Sequence, residues 1–199
     1  MCINVTAPIE APNAEIQRLI GEADAILVFA NEDRYHEATA KLETALTQAP
    51  IDHPIRVLCL KRLAKIARVQ GSYNLARRRL TLALGTAVQL FGLGHAHTLR
   101  LVEKMALVVK AEAHATERKK FIPAAVDKLY AGPIANAEAL GLAAAAALLK
   151  GDCAYLLERW EQACEYYNEA FGLLRSDLDD SNWPRLRMRL KQARYERDA

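Results

Sequence analysis

The sequence predicts an all-α protein assembled from paired helices. Of its 199 residues, 52% are hydrophobic, and Ala and Leu make up much of that share. Gly and Pro, which interrupt helices, number only 9 and 7. A chain rich in strong helix formers and poor in breakers favours helices joined by short connections. Three stretches of the chain also share one residue pattern, which indicates a repeated helical unit.

The shared pattern lies in residues 34–46, 72–84 and 159–171. In each stretch an aromatic residue stands three positions before an Ala, a large residue follows that Ala by four positions, and a second Ala follows it by seven. These offsets place both Ala residues and the large residue on one helix face, where the small Ala side chains let a neighbouring helix approach closely. An apolar helix is predicted upstream of each stretch; before the second it spans about residues 55–70 and ends at Gly71.

The repeated unit resembles the tetratricopeptide repeat family. The resemblance rests on three groups of positions, which are Tyr35, Ala38, Leu42, Ala45 and Pro50; Leu60, Leu63, Ala64, Gly71, Tyr73, Ala76, Leu80 and Ala83; and Gly151, Trp160, Ala163, Tyr167 and Ala170. Residues 93–99 are also similar to the kinesin-light-chain type of repeat, although the Asp and Pro of that type are missing there. The resemblance implies a right-handed α-solenoid of about four helix pairs with a C-terminal capping helix, in which the first helices of the pairs line a concave binding surface.

We expect a single repeat domain over residues 1–199. Its helix pairs are predicted at about residues 14–50, 53–91, 98–131 and 134–176, and the capping helix at 184–198. The third pair is degenerate, and Thr98 is the predicted cap of its first helix. Gly132-Pro133 predicts a break before the fourth pair, so the Ala-rich stretch 134–149 is expected to be the first helix of that pair.

Composition and charge limit the classes of function that the protein can have and indicate its cellular compartment. The net charge is +3, from 27 basic and 24 acidic residues, which is too mild to require nucleic acid as the partner. No apolar run reaches the length of a membrane span, and the first residues lack the layout of a signal peptide. We therefore expect a cytoplasmic protein, or one in another reducing compartment, with four plain thiols at Cys2, Cys59, Cys153 and Cys164.

The resemblance also predicts which side chains line the concave groove. Basic residues fall on the first helices of the second and third pairs, and more apolar ones on those of the first and fourth. The predicted groove residues are Leu27, Asn31, Lys61, Lys65, Arg68, Arg100, Lys104, Lys110 and Tyr155. A groove with an electropositive middle and apolar ends suits a partner segment that is acidic or amphipathic and has an apolar anchor. The alternative is that these cations form a solvated helix face.

The C-terminal helix is strongly basic and offers a second candidate site. Arg185, Arg189 and Arg197 are spaced for one helix face, which favours contact with nucleic acid or an acidic partner. The alternative is a capping helix whose Arg stems cover apolar surface while their charges stay in water.

No arrangement of residues predicts catalysis, a metal or a cofactor. His95 and His97 are too few for a metal site, and Asp177, Asp179 and Asp180 lack the Gly and Glu of a calcium loop. We therefore expect a non-enzymatic adaptor or scaffold that binds another protein. The alternatives are a chaperone for a specific secreted or aggregation-prone client, and a nucleic-acid-associated protein that uses the basic C-terminal helix. Self-association stays open for each.

Overall fold

The computed structural model describes residues 10–28, 34–177 and 183–199, and every regular element in these ranges is helical. None of the described helices is both long and apolar enough to cross a membrane. A 3-10 turn, Lys119–Phe121, precedes the sixth helix. The helices are α1 Glu10–Val28, α2 Tyr35–Gln48, α3 Pro54–Val69, α4 Tyr73–Phe91, α5 Ala96–Ala115, α6 Ile122–Ala139, α7 Ala143–Leu156, α8 Trp160–Asp177 and α9 Trp183–Asp198.

The chain divides into two compact units, residues 1–86 and 87–199, and the boundary falls within α4. In the first unit α1 packs against α2, and α2 against α3. In the second unit the helices from α5 to α9 pack in consecutive order. The prediction of an all-α chain with packed, sequence-adjacent helices is therefore confirmed, while the single repeat domain stays a prediction.

The repeat positions build the core of the first unit. Ala38, Leu42 and Ala45 of α2 are all 0% exposed, so the face predicted from their spacing is the buried one. Their neighbours come from α1 and α3, and the shared cluster includes Ile16, Ile20, Ala23, Ile26, Cys59, Leu63 and Ile66. The small side chain at two of the three α2 positions lets the adjacent helices approach closely, as the pattern predicted.

In the second unit α7 is buried on nearly all sides. Its sequence is Ala- and Leu-rich all round, which is typical of a helix enclosed by other helices. The residues from Ala144 to Leu149 are all buried, and so are Gly151 and Asp152. Gly151 faces Tyr167 of α8, because a Cβ at position 151 would lie 2.5 Å from the Tyr167 ring. The Gly in this repeat therefore makes room for the large residue of the partner helix.

The predicted break at Gly132-Pro133 is wrong, because α6 continues through it to Ala139. A proline inside a helix crowds the residue before it, mainly through that residue's Cβ, and Gly132 has none. The helix is instead closed by Gly141, which lies two residues beyond its last residue and whose φ of 71° is easy for Gly. The backbone N–H of Leu142 then donates to the carbonyl of Ala137 at 2.9 Å. The Ala-rich stretch 134–149 is thus shared between two helices.

Helix ends in both units are closed by specific caps. The predicted cap Thr98 is wrong: it lies buried in the first turn of α5, and its hydroxyl donates to the Gly92 carbonyl at 2.8 Å. The N-cap of α5 is His95, whose Nδ1 accepts a hydrogen bond from the His97 backbone at 3.2 Å. His53 caps α3 in the same way. An imidazole nitrogen here replaces the Ser, Thr, Asp or Asn oxygen that is usual at this position.

Candidate functional site

In the first unit, the predicted basic residues of α3 share the one stripe of that helix that the core does not bury. Eight α3 residues are buried, on both sides of this stripe. Lys65 is exposed, and Lys61 and Arg68 are half-buried. Spacings of four and three residues keep the three side chains in line, as the sequence predicted.

The basic residues on and beside this stripe differ in whether they form an ion pair. Arg62 forms an ion pair with Asp24 of α1. Lys65 and Arg68 have no ion pair with any residue that the structure describes. Val69, which is 50% exposed, continues the stripe beside Arg68 and adds an apolar group. We call Lys61, Lys65, Arg68 and Val69 the α3 stripe.

The remaining predicted groove residues of the first unit contribute less. Leu27 is half-buried and packs against the hydrophobic core, so its side chain is mostly used for folding. Asn31 lies outside the described residues.

In the second unit, the predicted residues of α5 have separate roles. Arg100 and Lys104 are exposed, and Arg100 has no ion pair within the described ranges. Lys110 is half-buried, and its Nζ donates to the carbonyl of Leu156 at 2.7 Å and lies 3.7 Å from Glu158. A cation is favourable at the carbonyl end of a helix, so Lys110 stabilises the C-terminus of α7.

Tyr155 and its neighbours on α7 are covered by the terminal helix. The Tyr155 hydroxyl donates to Oε1 of Gln192 at 3.3 Å, and the guanidinium of Arg189 lies 4.5 Å from the Tyr155 ring centroid. Ala145, Leu148 and Asp152, which precede Tyr155 on the same face of α7, are buried. This part of α7 therefore contacts α9 within the second unit.

The three arginines of the predicted basic face of α9 lie in different environments. Arg185 is 6% exposed and forms ion pairs with Asp152 and, at 3.0 Å, with Glu103. Arg189 also pairs with Glu103. Arg197 is exposed and pairs with Asp198 of its own helix at 2.8 Å. Arg185 and Arg189 are thus bound by carboxylates of other helices, on α5 and α7, and neither sequence interpretation anticipated a buried Arg charge.

Asp152 is the centre of this buried charged network. Burial raises the pKa of Asp152 above its usual value, and this outweighs the opposing effects of Arg185 and of the hydrogen bond that Tyr167 donates at 2.9 Å. Burial also raises the pKa of Tyr167 and lowers that of Arg189. Buried charges persist in proteins when they are paired and hydrogen-bonded, so the network fixes α9 to α5, α7 and α8.

Three buried polar atoms near this network have no hydrogen-bond partner within the described residues: Nη1 of Arg185, Nε of Arg189 and the hydroxyl of Tyr130. The sequence offered one signal for the network. Asp152 is a charged residue in an otherwise Ala- and Leu-rich helix, and such residues are rarely buried without a partner. Its partner Arg185 lies 33 residues away, beyond what helical spacing can reveal.

The described residues hold no group of three His, Cys, Asp or Glu side chains that would suit a metal ion. The rings of His95 and His97 lie 5.1 Å apart between centroids, and Phe91 stacks on His95 at 4.7 Å. Together with the capping hydrogen bond of His95, these ring contacts show that His95 and His97 help to form the start of α5. No protein-family model matches this chain, and a comparison with curated proteins likewise finds no match.

Proposed function

We propose that the protein is a non-catalytic adaptor of the tetratricopeptide type, which binds a partner protein through the α3 stripe. The observation that carries the proposal is the pair of cations Lys65 and Arg68, which have no ion pair among the described residues although the helices around them are rich in such pairs. In the first unit, Lys41 pairs with Glu22 at 2.7 Å and Arg79 with Glu43 at 2.7 Å. Cations left without an internal carboxylate can bind an external one at little cost of reorganisation.

The chemistry of the stripe defines the class of partner. An acidic segment would meet Lys65 and Arg68, and an apolar side chain one turn away would meet Val69, which is 50% exposed. A helical or extended segment with acidic residues next to one apolar anchor fits this spacing. The right-handed solenoid and its continuous groove are parts of the same proposal, as is a reducing interior compartment.

The test is affinity capture from native lysate with three forms of the full chain. They are the wild type, the variant Lys65→Glu/Arg68→Glu, and the control Lys119→Glu/Lys120→Glu, which changes the net charge equally at the exposed turn before α6. We expect a protein that the wild type and the control recover and that the α3 variant does not. Recovery of the same proteins by all three forms would contradict the proposal.

The salt dependence of capture separates this proposal from a diffuse charge effect. A specific partner with an apolar anchor should remain bound at raised ionic strength. Purely electrostatic contacts should weaken, because the Debye length is about 10 Å at 0.1 M salt and becomes shorter as the salt concentration rises. A partner pool that consists only of acidic proteins or nucleic acid, all lost at higher salt, would count against binding by the α3 stripe.

A further inference from the structure

The turn between α5 and α6 is a basic exposed tip. Residues 114–121 are all exposed, which is the longest exposed run in the described ranges. Arg118, Lys119 and Lys120 follow one another in it, and none has an ion pair with a described residue. Phe121 comes next, with 55% of its surface exposed. We call residues 118–121 the basic tip.

The backbone of the tip is ordered by hydrogen bonds of its own. The N–H of Arg118 donates to the carbonyl of Ala113 at 2.8 Å, and the N–H of Phe121 donates to the carbonyl of Arg118 at 3.0 Å. The short 3-10 helix packs chiefly against α5 and α6, the two helices that it connects. Its side chains are exposed at the turn between these two helices.

We infer that the basic tip binds the surface of a membrane that contains anionic phospholipids. Three adjacent cations match the negative potential of such a surface, where each basic residue strengthens binding about five-fold. Phe121 supplies an apolar ring for the boundary between head groups and acyl chains, which is how peripheral segments anchor. This inference uses residues separate from the α3 stripe and does not depend on the adaptor function.

Two observations favour a lipid surface over the other polyanions. An extended acidic peptide binds best in a groove or along a sheet edge, whereas the tip is built on a three-residue 3-10 helix whose residues are all exposed. A nucleic-acid base would stack on the face of the aromatic ring, but the Nζ of Lys120 lies 5.2 Å from the Phe121 centroid and occupies one face. A broad anionic surface requires only that the cations and the ring reach it together.

The test is co-sedimentation of the full chain with vesicles of phosphatidylcholine, with and without phosphatidylserine. We expect binding only when phosphatidylserine is present. Lys119→Glu/Lys120→Glu should weaken it by about 25-fold or more, because two five-fold contributions are lost. Phe121→Ala should weaken it by about ten-fold. Lys65→Glu/Arg68→Glu, which changes the net charge equally, should bind as the wild type does.

Because the altered residues of the tip are exposed, circular dichroism should show that each variant keeps the wild-type helix content. Failure of the wild type to bind phosphatidylserine vesicles at low salt would overturn the inference. Equal losses in the tip and α3 variants would also overturn it, since binding would then follow net charge alone. Binding of a single-stranded oligonucleotide but not of vesicles, lost in the tip variant, would reassign the tip to nucleic acid.

Discussion

Gly151 of α7 should be the glycine least tolerant of a side chain in the described part of the chain. A Cβ at this position would lie 2.5 Å from Cδ1 and 2.6 Å from Cε1 of Tyr167. Tyr167 is 0% exposed and donates a hydrogen bond to Asp152 at 2.9 Å, so its ring is enclosed by the protein and held at its hydroxyl. We therefore predict that Gly151→Ala destabilises the protein, although Ala is the better helix former.

Three contributions set the size of this effect. Inserting a methyl group into a packed core costs about 1–3 kcal/mol. Displacing the Tyr167 hydroxyl from a buried carboxylate costs about 1.5–3 kcal/mol. The higher helix propensity of Ala offsets about 1 kcal/mol. The free energy of unfolding should therefore fall by about 3 kcal/mol, within a range of about 1.5–5 kcal/mol.

Urea denaturation followed by circular dichroism measures this change. Gly172→Ala in α8 is the matched control, because nothing lies within 4 Å of the added Cβ and the position is exposed. It should raise the free energy of unfolding by about 0.5–1 kcal/mol. In a Tyr167→Ala background the clash is gone, so Gly151→Ala should stabilise by a similar amount. Wild-type stability of the single Gly151→Ala variant, or an equal cost in both backgrounds, would contradict a steric clash between position 151 and Tyr167.

Three further predictions concern strain, buried charge and thiols. Glu117→Gly should raise the free energy of unfolding by about 1 kcal/mol in urea denaturation, because φ is 55° there and Gly adopts this conformation without strain. An unchanged free energy of unfolding would contradict the strain at Glu117. Arg185→Ala should lower it by about 3–5 kcal/mol because the buried carboxylate of Asp152 loses its ion-pair partner, whereas Lys191→Ala on the exposed face of α9 should change it by less than about 0.5 kcal/mol. Equal effects would show that the network is not stabilising. Burial raises the pKa of Cys59 to about 11 and of Cys153 to about 12, so both thiols should resist iodoacetamide at about pH 8 until the chain unfolds, as read by peptide mass spectrometry. Because the folded chain holds these protons more tightly, the free energy of unfolding should fall as pH rises from about 9 towards about 12.

The helical class and most helix positions followed from local signals in the sequence. The spacing of Ala38, Leu42 and Ala45 identified a face that is buried in the structure. Such spacing is reliable because residues three, four and seven apart always share a helix face. The handedness of stacking and the repeat family have no such local signature and stay predictions.

The error at the third pair shows where local signals fail. Gly and Pro next to each other usually mark a turn, but Gly132 removes the Cβ that would crowd Pro133 in a helix. The true helix end, at Gly141, lies in a run of Ala and Leu that gave no competing signal. Two other helices, α5 and α7, are followed by Glu117 and Glu158, which have positive φ. Gly is the residue usually found in this conformation after a helix, so no local signal in the sequence marks these two helix ends.

The candidate site was predictable only where exposure follows from helical position. The α3 stripe was found because Lys61, Lys65 and Arg68 lie beside a clear apolar face. The burial and ion pairing of Arg185 were not predicted, because its carboxylate partners lie on α5 and α7 and come close only through tertiary packing. Helical spacing alone cannot tell a buried, paired arginine from one that is available to a partner.

The measurement that bears most directly on the function is the affinity of the captured partner segment, as a synthetic peptide, for three forms of the full chain. We predict that Lys65→Glu/Arg68→Glu weakens binding by about ten-fold or more, through the loss of two attractions and the gain of two repulsions. We expect wild-type affinity for Lys119→Glu/Lys120→Glu. Equal affinity of all three forms would contradict the assignment of partner binding to the α3 stripe.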